Sequence, residues 1–458
     1  MKSLWESVTR PGASRRGEFH GIEARVRVEQ LAEASTLGDR LEELRGRSVL
    51  LATREQLATA LALLELDGIA RRLVLCTPDL DAAQLERVAR IAEAQAIVLD
   101  ADRAATAPAG LRGYVPSVLP TPASVRRTAQ AESEWILLTS GTTGRPKLVV
   151  HGLASLASQL PQQSSEPCVW STFYDIRRYG GLQIYLRAVL AGVPLVLSSA
   201  SESLHDFLSR AAAAAVTHIS GTPSHWRRAL MSGDTALITP RYVRLSGEVA
   251  DQTILDRLKA AYPQARIAHA FASTEAGVAF EVNDGLAGFP AELIEAAGAP
   301  VELKVEDGTL RIRSARSAAR YLGEDAAPII GSDGFVDTGD LIERVGARYH
   351  FRGRRGGVIN VGGLKVFPEE IEAVLNDHAG VRMSRVHARR NPITGALVAA
   401  EVVLRGPAPG DAAALESLRL ELLEHCRARL AAHKVPALLR FVPALELTAA
   451  GKLVRPDA

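Results

Sequence analysis

Residues 137–152, LLTSGTTGRPKLVVHG, bring together two closely spaced glycines, four hydroxyl side chains, an arginine and a lysine, with no carboxylate among them. That mixture suits an anion. Gly141 and Gly144 let backbone N–H groups curl around phosphate oxygens, Ser140, Thr142 and Thr143 add hydroxyl donors, and Lys147 adds a point charge. The spacing differs from G-x-x-x-x-G-K-[ST], and Pro146 precedes the lysine, so the stretch is a phosphate loop of another kind. Four later strings put small-residue turns beside charged groups: LSGEVA (245–250), AFASTEAG (270–277), GFVDTGD (334–340) and FRGRRGGVINVGGLKVFPEEIE (351–372). A final TAAGKLVR ends in another glycine-lysine turn.

Lysine is scarce. Of 54 basic side chains only seven are lysine, and Lys147, Lys365 and Lys452 all stand in or beside glycine turns. Where arginine serves for most positive charge, a retained lysine marks a place that needs a compact, rotatable ammonium.

The elements that must hold these turns follow from hydrophobic periodicity. RSVLLA, RLVLCT (72–77) and AIVLD (96–100) read as short strands separated by helical stretches such as REQLATALALLELDG, which is the βαβ pattern of a parallel sheet. WILLTS reads as the strand leading into the phosphate loop. Beyond it the sequence predicts helices near 181–191, 203–215 and 224–231, with strands VPLVLSS and THISG between them. From about residue 298 short alternating segments, VELKVEDGTLRIRS and GARYHFRGRRGGVINVGG, predict antiparallel sheet. PEEIEAVLNDHAG predicts a helix opened by Pro368, with Glu369 and Glu370 at its positive end and Gly380 stopping it. A last amphipathic helix carries Leu418, Leu422, Cys426 and Leu430. The expectation is two domains, 1–352 and 353–458.

Composition narrows the partners. A net charge of +2 and the absence of any basic cluster argue against nucleic acid. Cys76, Cys168 and Cys426 lie too far apart for a metal site and read as buried thiols. MKSLWESVTRPGASRR lacks a signal-peptide core, and the longest apolar run is broken by Gly192 and Pro194, so no membrane and a cytoplasmic location are expected.

In their order, these motifs resemble those of the adenylate-forming superfamily: acyl- and aryl-CoA ligases, carrier-protein adenylation domains and luciferases. The opening loop is similar to that family's [S/T]-[S/T/G]-G-[S/T]-T-G-x-P-K. The resemblance runs from about residue 45 to the end and implies an α/β fold, with a large N-terminal domain of mixed sheets packed with helices and a small mobile α+β C-terminal lid. It also implies the chemistry. A carboxylate attacks the α-phosphorus of ATP, pyrophosphate leaves, and the acyl-adenylate passes to a thiol, so anions must be brought together among cations and Mg²⁺.

By the same resemblance, Thr139, Ser140, Gly141, Thr142, Thr143, Gly144 and Lys147 hold the β- and γ-phosphates. Ser246, Gly247 and Glu248 lie along the adenine, and Phe271, Ala272 and Ser273 form the stacking segment. Thr274 meets the α-phosphate and Glu275 the Mg²⁺. Asp340, helped by Arg354, takes the ribose hydroxyls, and Lys452 reaches the carboxylate and α-phosphate. Gly356 is the hinge about which the lid turns, and Gly363 and Lys365 line the thiol tunnel in the second pose.

Several positions depart from the family. Leu148 stands where glycine usually follows the loop lysine, Asn360 where lysine is common, and LELTAAGK where Pro-Lys precedes the last turn. The region gating the acyl pocket reads STFYDIRRYGGLQ. Counting back from the Leu-Ala-Gly turn that ends at Gly192 puts Tyr179, beside Gly180, at the place where amino-acid-activating members hold the amine. An aryl or modest apolar acid is expected, with a second carboxylate met by Arg177 or Arg178 as the alternative. An acid:CoA ligase (monomer or homodimer), an enzyme loading carrier-protein phosphopantetheine, and an inactive nucleotide-binding regulator all remain open; intact Glu275, Asp340 and Lys452 count against the last.

Overall fold

The computed structural model describes residues 3–9, 17–124, 127–128, 132–140, 146–161, 166–296, 298–323, 327–391, 395–407, 410–448 and 452–454. Two sheets with parallel centres form the bulk of the chain. In the first, five strands run parallel in the order Glu134–Ser140, Arg72–Leu75, Ser48–Leu51, Ala96–Val98, Arg112–Tyr114. Pro146–Gly152 and Arg320–Leu322 extend it antiparallel. The phosphate-loop stretch therefore joins two antiparallel strands, with Thr139 opposite Lys147 and Ser140 opposite Pro146. Its tip, Gly141, Thr142, Thr143 and Gly144, lies outside the described residues.

The second sheet has eight strands. Six run parallel, Arg266–Ser273, Tyr242–Ser246, His218–Gly221, Trp170–Thr172, Leu195–Leu197 and Glu18–His20, and each edge carries one antiparallel strand. Helices Gln56–Leu66 and Tyr179–Ala191 belong to the core shared by the two sheets and are buried on nearly every side. Such helices are apolar all round and not striped. The Tyr185 hydroxyl ties them by donating to the Ala60 carbonyl at 2.8 Å. Gly192 ends the second helix in a left-handed turn.

The remaining predicted helices form as Leu204–Ala213, Pro223–Ser232, Pro368–Asp377 and Ala412–Arg427. The helix from Pro368 stops at Asp377, three residues before the predicted glycine, and Leu430 lies beyond the last helix. An antiparallel five-stranded sheet of Phe289–Pro290, Arg348–Arg354, Val336–Val345, Thr309–Ser314 and Val301–Glu306 closes the N-terminal part. Its strand runs two residues past 352, to Arg354. Arg355–Gly357 make one 3-10 turn, after which a separate hairpin (Ile359–Val361, Leu364–Val366) and a three-stranded sheet with two helices build the C-terminal part. The predicted alternation over 346–363 is thus divided between two sheets. All three cysteines are free and buried, and among the described residues no helix is long and apolar enough to cross a membrane.

Candidate active site

The C-terminal ends of the parallel strands deliver the site, as expected for open α/β sheets. Strand Tyr242–Ser246 leads into Gly247, whose φ of +85° requires glycine, and the Lys452 stem lies over it. A Cβ at 247 would stand 3.3 Å from Lys452 Cε and 3.8 Å from its Nζ. So the end of the chain is seated on the central sheet's loop.

Glu248 holds it there. Its carboxylate accepts from Ser224 N–H at 2.9 Å and Ser224 Oγ at 3.0 Å, at the start of helix Pro223–Ser232, and from the Leu453 N–H at 3.2 Å. Lys452 is also tied to Thr448: Thr448 N–H donates to the Lys452 carbonyl at 2.6 Å, and Lys452 N–H to Thr448 Oγ1 at 3.2 Å. Lys452 is exposed along part of its length. Even so, burial around its ammonium draws the pKa below lysine's usual value, with Glu248 and Asp340 opposing and Arg354 and Arg178 adding to the fall.

Asp340 and Arg354 face each other across a β-ladder, and Arg354 Nε donates to Asp340 Oδ1 at 3.1 Å. Burial raises the Asp340 carboxyl above its ordinary range, against the pull of Arg354, Thr338 and Lys452. A carboxylate in that state gains from further donors, such as a diol.

The AFASTEAG turn links strands Arg266–Ser273 and Gly277–Val282. Two residues not singled out in the sequence hold it. His151 Nε2 donates to the Thr274 carbonyl at 2.7 Å, and the Tyr321 hydroxyl donates to Glu275 Oε1 at 3.1 Å. Burial lowers His151 to about 4, so it serves as a neutral donor. Burial and the Glu275 charge raise the Tyr321 phenol, which keeps its proton. Lys147 Nζ sits 5.1 Å from the Tyr321 ring centroid, which brings Lys147, Tyr321 and Glu275 together. Phe271 stacks on Phe351 at 4.9 Å, Ser273 Oγ accepts from Ala276 N–H at 3.0 Å, and Ala272 pairs with Val278 at the bulge. His151 adjoins the phosphate loop and was within reach of sequence reading; Tyr321 lies in a segment with no motif.

A third residue not singled out in the sequence, Tyr174, donates its hydroxyl to the Ser246 carbonyl at 2.5 Å. It packs beside Gly180, at the start of helix Tyr179–Ala191.

Arg177 and Arg178 are committed to the protein itself. Arg177 is buried, with Nε and Nη2 on Asp175 at 2.7 and 2.5 Å, and it also donates to the carbonyls of Thr53 and Arg54. Arg178 Nη2 bridges both oxygens of Asp79 at 2.9 Å. Desolvated guanidiniums need fixed partners: Arg177 finds them on every side, whereas Arg178 gives Nη2 to Asp79 and keeps a buried Nε without a partner.

Gly356 and Gly357 lie in the turn after Arg354, while Gly363 and Lys365 are exposed on the hairpin, whose Asn360 Oδ1 accepts from Gly363 N–H at 2.9 Å. Among the described residues no three His, Cys, Asp or Glu side chains cluster as a metal cage. Glu275 is the one carboxylate of the AFASTEAG turn. A magnesium ion there would take most of its oxygens from a nucleotide and from water, as is usual for this metal.

Residues 34–314 match the family described as AMP-binding enzyme, and residues 370–452 match the AMP-binding enzyme C-terminal domain. A 2-succinylbenzoate–CoA ligase of Listeria monocytogenes serovar 1/2a is 28% identical over 338 residues, 70% of this chain and 68% of that one. Among solved structures, the anthranilate CoA ligase AuaEII in complex with anthranoyl-AMP is similar with a TM-score of 0.81 at 17% identity, covering 98% of this chain and 94% of the other. The o-succinylbenzoate CoA synthetase (MenE) from Bacillus subtilis, in complex with OSB-AMP, gives 0.77 at 20% identity over 98% and 96%. The fold is shared with both.

Proposed function

Because the chain belongs to the AMP-binding enzyme family, we infer that it activates a carboxylic acid with ATP and passes the acyl group to the thiol of coenzyme A. One observation carries the reading: Lys452, from the last residues of the chain, is seated over Gly247 among Glu248, Asp340 and Arg354. A nucleotide laid along Ser246–Glu248 with its ribose on Asp340 would present its α-phosphate to that ammonium. The incoming carboxylate and the α-phosphate are both negative, and their charges concentrate as they meet. A fixed cation in a partly desolvated site stabilises that arrangement more than it does separated reactants.

Thr274 and Glu275 stand at the phosphate side, kept in place by His151 and Tyr321. Magnesium, when bound with ATP, would neutralise the departing pyrophosphate, and Glu275 would contribute one ligand oxygen. The thiol step needs a different surface at the acyl-adenylate, because Lys452 occupies the approach. We take residues 355–458 as a lid that turns about Arg355–Gly357 and brings Gly363 and Lys365 into that position. The acid is aryl or modestly apolar, in line with the acids in the relatives' names, and the protein acts in the cytoplasm.

Acid-dependent exchange of labelled pyrophosphate into ATP tests the first half-reaction, and thioester formation with CoA tests the second. Exchange without CoA thioester would transfer the reading to a carrier-protein phosphopantetheine. No exchange across a panel of acids would remove it.

A further inference from the structure

The C-terminal sheet of Val381–Asn391, Gly395–Leu404 and Leu438–Phe441 has two unlike faces. Val386, Val398, Ala400, Val402 and Leu439 point into the core shared with helices Pro368–Asp377 and Ala412–Arg427. The alternate residues form the outer face in cross-strand rows. Arg385, Glu401 and Arg440 make one row, His387, Ala399 and Leu438 the next, and Arg389 stands opposite Leu397 in a third.

Ala399 is only 6% exposed although it lies on that outer face. The longer side chains around it rise past its single methyl. Above it they enclose a hollow of about 220 Å³, lined by His387, Arg389, Glu401, Leu438 and Arg440. Sites for drug-sized ligands begin at roughly 300 Å³, so this one suits a small ion or group.

The charges around the hollow are unevenly paired. Glu401 is taken by Arg385, whose Nε donates to Oε2 at 2.8 Å and whose Nη2 reaches the same oxygen. Arg389 and Arg440 have no ion pair or hydrogen bond among the described residues. His387 makes no hydrogen bond among them either, and its Nδ1 is buried without a partner. Exposed guanidiniums are solvated at little cost, so singly the two arginines would carry no meaning. The hollow joins them. They flank it from one row on either side of Ala399, and the unpartnered imidazole stands in the row between.

We propose that this hollow binds a small phosphate-class dianion, held between Arg389 and Arg440 with His387 at its side. A tetrahedral oxyanion has oxygens enough for two guanidinium forks and an imidazole at once, whereas a carboxylate has two. Glu401 forms one wall, and Arg385 offsets its charge. All of these residues belong to the C-terminal part, and none has a place in the acid-activating reading, on which the proposal does not depend. Arg385 Nη1 also donates to the Val454 carbonyl at 2.9 Å, two residues past Lys452. An occupied hollow therefore lies one side chain away from the tail that delivers that ammonium.

Equilibrium dialysis of the full chain against labelled inorganic phosphate and labelled glycerol 3-phosphate, at constant ionic strength, tests the site in the parent and in Arg389→Gln, Arg440→Gln and Lys147→Ala. At least one of the two anions should bind with a Kd of about 1 mM or tighter. Each glutamine variant should weaken that binding about tenfold or more, and Lys147→Ala should leave it within about twofold. Arg440→Lys, which keeps the charge and loses the fork, should retain part of the affinity. Tighter binding of inorganic phosphate marks a free ion as the ligand, and tighter binding of glycerol 3-phosphate marks a small phosphate monoester; either upholds the site. Both arginines are exposed, and a thermal melt confirms that their variants fold. No binding up to about 10 mM overturns the proposal. So does binding that both glutamine variants leave intact, or binding lost altogether in Lys147→Ala, which would put the anion in the phosphate loop.

Discussion

The two faces of the eight-stranded sheet come from the same strands and obey the same alternation, yet one is almost wholly apolar and the other mixes apolar and polar groups. On one face Val196, Ile219, Val243, Leu245 and Ile267 pack against Phe207, Trp226, Ile254 and Leu258. On the other, one residue along, Thr172, Ser220, Arg244 and Ser246 stand just as buried among Trp170, Leu195, Leu197 and Ala268. An interior that exists only for stability would be apolar on both faces. The contrast sets an apolar packing face and a partly polar one, in which Ser220 Oγ and the Nε atoms of the neighbouring Arg187 and Arg316 are buried without a partner, inside one element.

Perturbing the two faces should give opposite signatures. The largest effect belongs to the chemical side. Lys452→Ala should reduce acid-dependent pyrophosphate exchange by about 10²–10³-fold while ATP affinity and melting temperature stay close to the parent's. Retained exchange would remove Lys452 from the reaction. On the apolar face, Leu245→Ala should cost about 2–5 kcal/mol in urea unfolding, because the packed cluster cannot fully close the cavity. A loss under about 1 kcal/mol would mean that this face relaxes and is less rigidly packed than it looks.

Acid should act through the histidines around the site. Burial lowers both His151 and His225 from 6.5 to about 4, and His225 Nδ1 accepts the Thr222 N–H at 3.1 Å. The unfolded chain takes up these protons near 6.5, whereas the folded one stays neutral down to about 4. Stability is therefore full above about pH 6.5 and falls as pH drops toward 4, on the order of 1–3 kcal/mol per histidine. Unfolding midpoints across that range should lose part of this slope in His225→Gln, and an unchanged slope would place the proton uptake elsewhere.

Glu275→Gln keeps size and loses charge. It should weaken the response to magnesium about tenfold, with partial recovery at higher Mg²⁺; a magnesium dependence equal to the parent's would take Glu275 out of the metal site. The smallest effect, and the sharpest contrast, is on the polar face. Ser220 Oγ is buried without a partner. Ser220→Ala should be neutral or stabilising by up to about 1 kcal/mol, the reverse of the neighbouring apolar face. A clear destabilisation would show that the hydroxyl is already satisfied.

Legibility followed the same divide. Of the charged strings, SGE and ASTE are contiguous and each fixes a bend or turn that carries its side chain with it, whereas TGD lies within strand Val336–Val345. The buried arginines could not be read this way. Arg187, Arg244 and Arg316 come from a helix, a strand and a turn that share no motif, and a sequence displays a charge without displaying its partner. Arg177 and Arg178 drew attention because they precede Tyr179, yet Asp175 stood two residues before Arg177 as its fork-shaped partner. Helices were found both where an apolar stripe showed and, at Gln56–Leu66 and Tyr179–Ala191, where an all-apolar run did. The alternation over 346–363 read as one antiparallel stretch, since nothing in Gly353–Arg354 marks the last ladder bond to Asp340 before the separate hairpin.

Gly356 and Gly357 are ordinary residues in the conformation seen. Neither has a positive φ, and a Cβ on either would meet nothing within 4 Å. Alanine would fit at both and, by restricting the unfolded chain, would add about 0.4–1 kcal/mol at each. The turn thus forgoes a small, available gain in stability. On the reading that the lid turns here, the glycines answer to a conformation other than this one, in which the backbone passes through regions that alanine cannot enter. A static fold can thus hold a trace of its own motion, as residues whose identity the resting shape does not explain.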